Sequence, residues 1–361
     1  MRIKTVLLLI FYLIVFIDYG FCDEVTDNSF KAKADLLPAE LACRYDDNVY
    51  RSSESFGRIS DIISSFDLGG ELTTKYDIFK AQVQYRFGDD QYITQSYLNN
   101  IKDEIMLSIT ALTGNIVIYF DADYFIKNSS DYDFDYIDNS YFGGIQWILD
   151  NEWSVESKAK SFSRQYYDHA PYVWSRNFVD MGGLLNIQRI INDQLTFKLE
   201  GSYNDRQLNR YAVAYGGTSD LTVLQMDNTW SALLNAHIIL GSILQDITFE
   251  HARTDSNSYS FSNIVDSVSW AAVLRPANTL FIQLFFRLYE KTYDVSPITN
   301  ADLQYGFVDE DSQDLLSAQA SWDWSPLWTG TLGISRVRNE STQPGEYYIK
   351  NIISMSVTKI F

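Results

Sequence analysis

Charged residues spaced two apart are the first pattern in this chain that could do chemistry. Asp121 and Asp123 form one pair and Lys158 and Lys160 a second. Lys198 and Glu200 form a pair of mixed sign, and Arg287 sits between Phe286 and Leu288. A spacing of two puts side chains on one face of a β-strand. Acids on one stretch of wall and ammonium groups on another bias the passage of ions and solutes through a water-filled lumen. The same charges can also pair with one another and simply brace the wall, and both readings stand at this stage. We take Asp121, Asp123, Lys158, Lys160, Lys198, Glu200 and Arg287 as candidate lumen or constriction residues.

Catalytic and cofactor chemistry is poorly provided for. His169, His237 and His251 lie far apart, and no Ser-His-Asp or Asp-His set can be read around them. Gly143-Gly144 and Gly182-Gly183 fall inside expected strands, where they read as bends or close approaches rather than phosphate loops. The acidic runs Asp131–Asp138 and Asp309–Asp314 read as solvated outer loops, and the second lacks the Gly and terminal Glu of a calcium loop. Cys43 reads as a small apolar residue. No enzyme, cofactor or metal is expected, and a membrane-embedded hydrolase is the reading these residues support least.

Composition narrows the classes further. The 361 residues carry 28 Lys plus Arg against 47 Asp plus Glu, a net charge of -19, which argues against a nucleic-acid partner. Two cysteines cannot build a disulfide scaffold. A hydrophobic content of 46% is too high for a disordered acidic chain, and aromatics at 15% suit strands.

Arg2 and Lys4, then the apolar run Val6–Ile17, then DYGFC at 18–22 have the layout of a secretory signal peptide. We expect cleavage after residue 22. A membrane anchor, or a lipidated Cys22, is the alternative. Removing residues 1–22 takes away two bases and one acid, leaving 26 against 46 and a net charge of -20. Residues 23–35 are then a short periplasmic segment, and residues 36–361 are one unit.

From residue 36 onwards apolar and polar residues alternate in stretches of about ten, as membrane strands do. In Asn115–Ile126, Ile116, Ile118, Phe120, Ala122 and Tyr124 share a face, with Val117, Tyr119, Asp121 and Asp123 opposite. Leu195, Phe197, Leu199, Gly201 and Tyr203 repeat the pattern, as do Leu280, Ile282, Leu284, Phe286 and Leu288. Short turns are expected at 74–77, 113–115, 150–152, 191–193, 240–242, 275–278 and 325–328. Longer polar connections lie near 47–60, 87–100, 127–139, 165–174, 207–222, 254–261, 291–309 and 340–346. Seven turns and eight loops imply 16 strands. Loop length segregated by end marks a single transmembrane antiparallel β-barrel with short periplasmic turns and long outer loops. The loops at 207–222 and 291–309 are candidates to fold into the lumen. Trp147, Trp153, Trp328 and Phe361 lie by short turns, and Trp174 and Tyr211 towards loops. The aromatic surplus is therefore expected outside the barrel, against lipid and at its two interfaces.

Two resemblances follow from particular residues. Phe361, Val357, Met355 and Ile353, stepping back by twos from the end, resemble the C-terminal strand signal that the barrel assembly machinery reads. Lys359 departs from that pattern. The element Tyr45-Asp-Asp-Asn-Val-Tyr-Arg51, after an expected first strand at 37–46, resembles the opening of a group of β-barrel porins that accompany exopolysaccharide loci. That resemblance implies a Gram-negative outer-membrane barrel acting as a porin-like channel for small solutes or exported saccharide. The alternative is a structural or surface-interaction barrel with a plugged lumen. The expected partners are outer-membrane lipids and lipopolysaccharide, the assembly machinery and polysaccharide.

Overall fold

A computed structural model describes residues 31–48, 59–129, 135–167, 177–214, 219–259, 261–294, 313–339 and 348–361. The proposed leader, Cys22, His169, Trp174, half of the first acidic run and most of the second lie outside these residues. Sixteen strands follow one another: β1 (Lys31–Asp46), β2 (Asp61–Tyr76), β3 (Phe79–Tyr92), β4 (Asn100–Thr113), β5 (Ile116–Ser129), β6 (Tyr136–Ile148), β7 (Trp153–Tyr166) and β8 (Phe178–Asn192) form the first half. The second half is β9 (Leu195–Val213), β10 (Ser219–Leu240), β11 (Ile243–Ser256), β12 (Asn263–Ala277), β13 (Leu280–Tyr293), β14 (Gln313–Ser325), β15 (Trp328–Asn339) and β16 (Tyr348–Lys359). Every strand pairs antiparallel with its sequence neighbours, and β1 pairs with β16, so the sheet closes. Along the closing ladder no strand edge is left unpaired.

The alternation explains why the sheet closes on itself instead of packing on a second layer. Among the described residues the buried apolar set is Ile63, Leu208, Ala212, Ala252, Ala272 and Tyr348, far too little for a dry core. Large apolar side chains instead cover the outside. Leu41 on β1, Leu332 on β15 and Met355 on β16 are each about 60% exposed at 63%, 59% and 60%. Cys43 is outward and exposed beside them. At about 25 cal/mol per Å² such a surface is stable only when something apolar covers it, which a bilayer does.

The seven turns connecting the strand ends at 77–78, 114–115, 149–152, 193–194, 241–242, 278–279 and 326–327 match the expected ones to within three residues. Gly114 and Gly241 hold left-handed backbone at φ 59° and 60°, where a Cβ would be strained. Trp147 and Trp328 stand outward beside these turns. Lys359 packs its ammonium 5.7 Å from the Trp328 ring centre and 4.7 Å from that of Phe361. A snorkelling cation at this rim accommodates the one departure from the C-terminal pattern.

Three stretches differ most from expectation. The first strand begins at Lys31, so the barrel takes in part of the segment expected to precede residue 36. The loops expected at 87–100 and 207–222 shrink to 93–99 and 214–218. β9 and β10 run for 19 and 22 residues, about twice what spans a bilayer. Beyond the lipid both faces of a strand are wet, so the apolar half of the alternation disappears while the pairing continues. Polar residues at 207–222 therefore look like a loop in sequence. Its residues 207–213 and 219–222 are strand extensions of the wall, and residues 295–309 of the other candidate lie outside the described set.

Candidate functional site

Register places the candidate residues in rows that cross the inward face of β5 to β9. One row reads Asp121, Phe142, Lys160, Gly182, Asn204. The row on its turn side reads Tyr119, Gly144, Lys158, Leu184, and the row on its loop side Asp123, Ser140, Phe162, Asp180, Arg206. Asp121 and Lys160 are thus two strands apart, about 10 Å, with the Phe142 ring between them.

Several long side chains in this patch are held by neighbours. The Tyr119 hydroxyl donates to one oxygen of Glu156, and the Asn186 side-chain amide donates to the other. Gly144 makes room for this, because a Cβ there would strike the Tyr119 ring. The Lys158 ammonium lies 4.3 Å from the Phe142 ring centre and 5.9 Å from that of Tyr119. Lys158 and Lys160 make no salt bridge among the described residues. Asp123 has one buried carboxylate oxygen without a hydrogen-bond partner there, and Glu104 nearby sits 3.9 Å from Arg86.

Towards the loop end the charges are paired across neighbouring strands. Arg164 on β7 grips both oxygens of Asp138 on β6 at 2.8 Å. Arg206 on β9 does the same to Asp180 on β8 at 2.8 and 3.1 Å. Lys102 reaches Asp90 at 2.5 Å and Lys350 reaches Asp46 at 2.6 Å, the latter across the closure between β16 and β1. Planar guanidinium forks on carboxylates fix geometry as well as charge.

The remaining candidates separate from this patch. Lys198 and Glu200 pair with each other at 2.8 Å on β9. Arg287 is inward, but on β13, beside the Tyr289 ring at 5.2 Å. His237 and Asp246 pair inward at 2.9 Å. His251 and Asp266 pair at 2.8 Å on the outward face. Among the described residues no group of three or more His, Cys, Asp or Glu is placed to hold a metal, and no helix is long and apolar enough to cross a membrane.

The expectation that the aromatic surplus lies outside needs correction. Tyr119, Phe125, Tyr136, Phe142, Phe162 and Phe178 share the inward face with the charges. Rings are stable there because cations cover them, as Arg164 does at 4.3 Å from the Tyr136 centre and Arg206 at 4.6 Å from that of Phe178. The signal was in the sequence: Lys158, Lys160, Phe162 and Arg164 follow one another at intervals of two.

No family model matches the chain, and no curated protein matches it. Solved structures do. A loop L8 deletion mutant of OmpT, an outer membrane protein of Vibrio cholerae, is 10% identical with a TM-score of 0.51, covering 91% of this chain and 99% of that one. OmpT of Vibrio cholerae expressed in the outer membrane is 10% identical at TM-score 0.50, covering 94% and 100%. The chain has the fold of an outer-membrane β-barrel. A bacterial polysaccharide outer membrane secretin follows at 10% identity and TM-score 0.45, covering 90% and 98%, too distant to bear on cargo.

Proposed function

We propose that this barrel is a porin-like channel of the outer membrane, passing small hydrophilic solutes. One observation carries the reading: a closed 16-stranded wall whose inward face sets Asp121 and Asp123 against Lys158 and Lys160. Sixteen strands spaced about 4.8 Å apart and tilted about 40° enclose a cylinder roughly 30 Å across between backbones. Such a lumen has room for water after its side chains are accommodated. Exported saccharide is the finer cargo that the resemblance at residues 45–51 suggests. The chain acts without catalysis on this reading. It reaches the membrane through a cleaved leader, engages the assembly machinery by its last strand and meets lipopolysaccharide outside.

Purified protein in planar bilayers tests the channel. Stepwise conductance is expected, and a persistently closed protein would favour the structural barrel instead. A glycosyltransferase or polysaccharide-export gene neighbourhood is the corresponding check on saccharide export, and its absence returns the reading to a general porin.

A further inference from the structure

The seam of the barrel is closed over only part of its length. β1 pairs with β2 from Lys31 to Asp46. Its ladder with β16 starts at Ala39, opposite Lys359, where β16 ends. Residues 31–37 therefore have a partner strand on one side only among the described residues. A register irregularity between Leu37 and Glu40, at Pro38, marks where β1 leaves the closing ladder. Lys31 pairs with Lys75, next to the turn at 77–78, so the gap beneath β16 opens at the periplasmic rim. The ladder also fixes what the gap presents. The Ile93 N–H donates to the Ile62 oxygen at 3.0 Å, so even-numbered residues of β2 bond to β3 and odd-numbered ones to β1. Those odd residues face Lys31, Lys33, Asp35 and Leu37. The N–H and C=O groups of Ala32, Ala34 and Leu36 thus point away from β2 into the gap. The same three side chains face lipid, Leu36 being 55% exposed, while Lys33 and Asp35 lie on the lumen side and pair at 2.7 Å.

We propose that this gap takes up an extended segment of a periplasmic protein, which adds one strand beneath β16, antiparallel to β1. The inference concerns the rim and not the lumen, so it stands apart from the channel reading. Unpaired backbone groups at a strand edge are a template for another strand, and they are costly beside lipid. Charge points the same way. Register sets Lys31, Lys75 and Lys80 in one row at the lower end of the gap. Like charges directly opposite each other repel, and Lys75 and Lys80 are exposed with no ion pair among the described residues. The pairing dictates the chemistry of the incoming strand. Its residues opposite Ala32, Ala34 and Leu36 face lipid and are apolar. The one opposite Asp35 is basic, and those opposite Lys33 and beside the lysine row are acidic. Read from the membrane towards the periplasm, the segment is apolar, basic, apolar, acidic, apolar, acidic. It satisfies the open groups and neutralises the row. A second copy of this chain does not fit. The added strand runs towards the periplasm, whereas β1 of a barrel inserted the same way runs away from it.

The test is binding of a fluorescein-labelled peptide, Val-Lys-Val-Glu-Val-Glu, to the whole barrel in detergent, read by anisotropy. Saturable binding is expected. Methylating the valine nitrogens, which face β1 in this register, or reversing the charges to Val-Glu-Val-Lys-Val-Lys, should weaken it about tenfold. Ala34→Pro removes one open N–H and none of the bonds to β2, and should have the same effect. If that variant does not fold, Lys33→Glu decides: it leaves the backbone intact, and should weaken the peptide about fivefold while favouring the reversed one. Hydrogen exchange followed by NMR locates the peptide. Binding should slow the amides of Ala32, Ala34 and Leu36 and leave those of Lys33 and Asp35, already bonded to β2, as they were. No binding, binding indifferent to methylation and to charge, or binding that slows none of the three amides overturns the proposal.

Discussion

The walls formed by β5–β8 and by β14–β16 share one backbone plan and differ in almost everything they show to the lumen. Both alternate, both are covered outside by apolar side chains, and both are joined by tight turns. Inside, the first presents rings, guanidinium forks and lysines. The second presents Ser317, Ser321, Thr329, Thr331, Ser335, Ser354 and Ser356. Its side chains are short and hold one another: Ser321 and Thr331 are 3.1 Å apart, and Thr329 donates to Asp323 at 2.6 Å. A wall of long side chains must fix each one with a partner, and a wall of hydroxyls need not. The closed sheet is thus indifferent to what half of its residues do, so one wall is free to specialise while the other clears space.

The sharpest way to break this contrast is at the glycines. A Cβ at Gly182 would run into the backbone oxygen of Tyr203 and lie 3.1 Å from the Asn204 Cα, neither of which can give way. Gly182→Val is expected to cost about 3 kcal/mol, read as a lowered urea midpoint for the folded barrel. On the hydroxyl wall a Cβ at Gly333 meets only the Ser354 hydroxyl at 2.6 Å, and that group can rotate. Gly333→Ala should cost less than about 0.5 kcal/mol in the same titration. Equal costs would mean that the ring wall is no more tightly held than its opposite.

Ion pairs come next in size. Arg206→Met leaves the Asp180 carboxylate, 12% exposed, without its fork. The expected loss is about 2 kcal/mol, held below the fully buried case because the Arg206 side chain is 38% exposed. Adding Asp180→Leu should recover most of it, since two apolar groups leave no unpaired charge. Thr329→Val on the other wall removes one bond to Asp323 beside a turn and should cost under about 1 kcal/mol. Thermal unfolding of the three variants orders them, and a double variant no better than Arg206→Met would show that packing, not charge, is lost.

Why some of this was legible in the sequence and some was not follows from the same geometry. Parity is local, so Asp121 and Lys160 could be assigned to one face from their own strands. The seven turns were legible because the apolar run stops on both sides of them. The Asp138–Arg164 fork was not, because it joins residues 26 apart through a register that only the closed sheet fixes. The rings were misplaced for a different reason. An aromatic at an inward position counts the same in composition as one facing lipid, and only its parity with nearby lysines and arginines tells them apart. The ends of β9 and β10 were lost because their pattern changes where the bilayer stops, although their pairing does not.

Selectivity is the smallest effect expected and the one that addresses the walls most directly. Asp121 and Lys160 lie about 10 Å apart, and in water a unit charge at that distance is worth about 0.4 kcal/mol to a passing ion, or about a factor of two. Asp121→Asn with Asp123→Asn should therefore lower the cation-to-anion permeability ratio about twofold at low salt. Lys158→Gln with Lys160→Gln should raise it by a similar factor. Both shifts should fade towards 1 M salt, where the Debye length falls to about 3 Å. Ser335→Ala, on the hydroxyl wall, should leave the ratio where it was. Reversal potentials in a salt gradient measure all of these. If the Asn pair and the Gln pair both leave the ratio unchanged in an open pore, ions pass along the hydroxyl wall beyond reach of the charges, and the patch on β5–β7 is bracing rather than a filter.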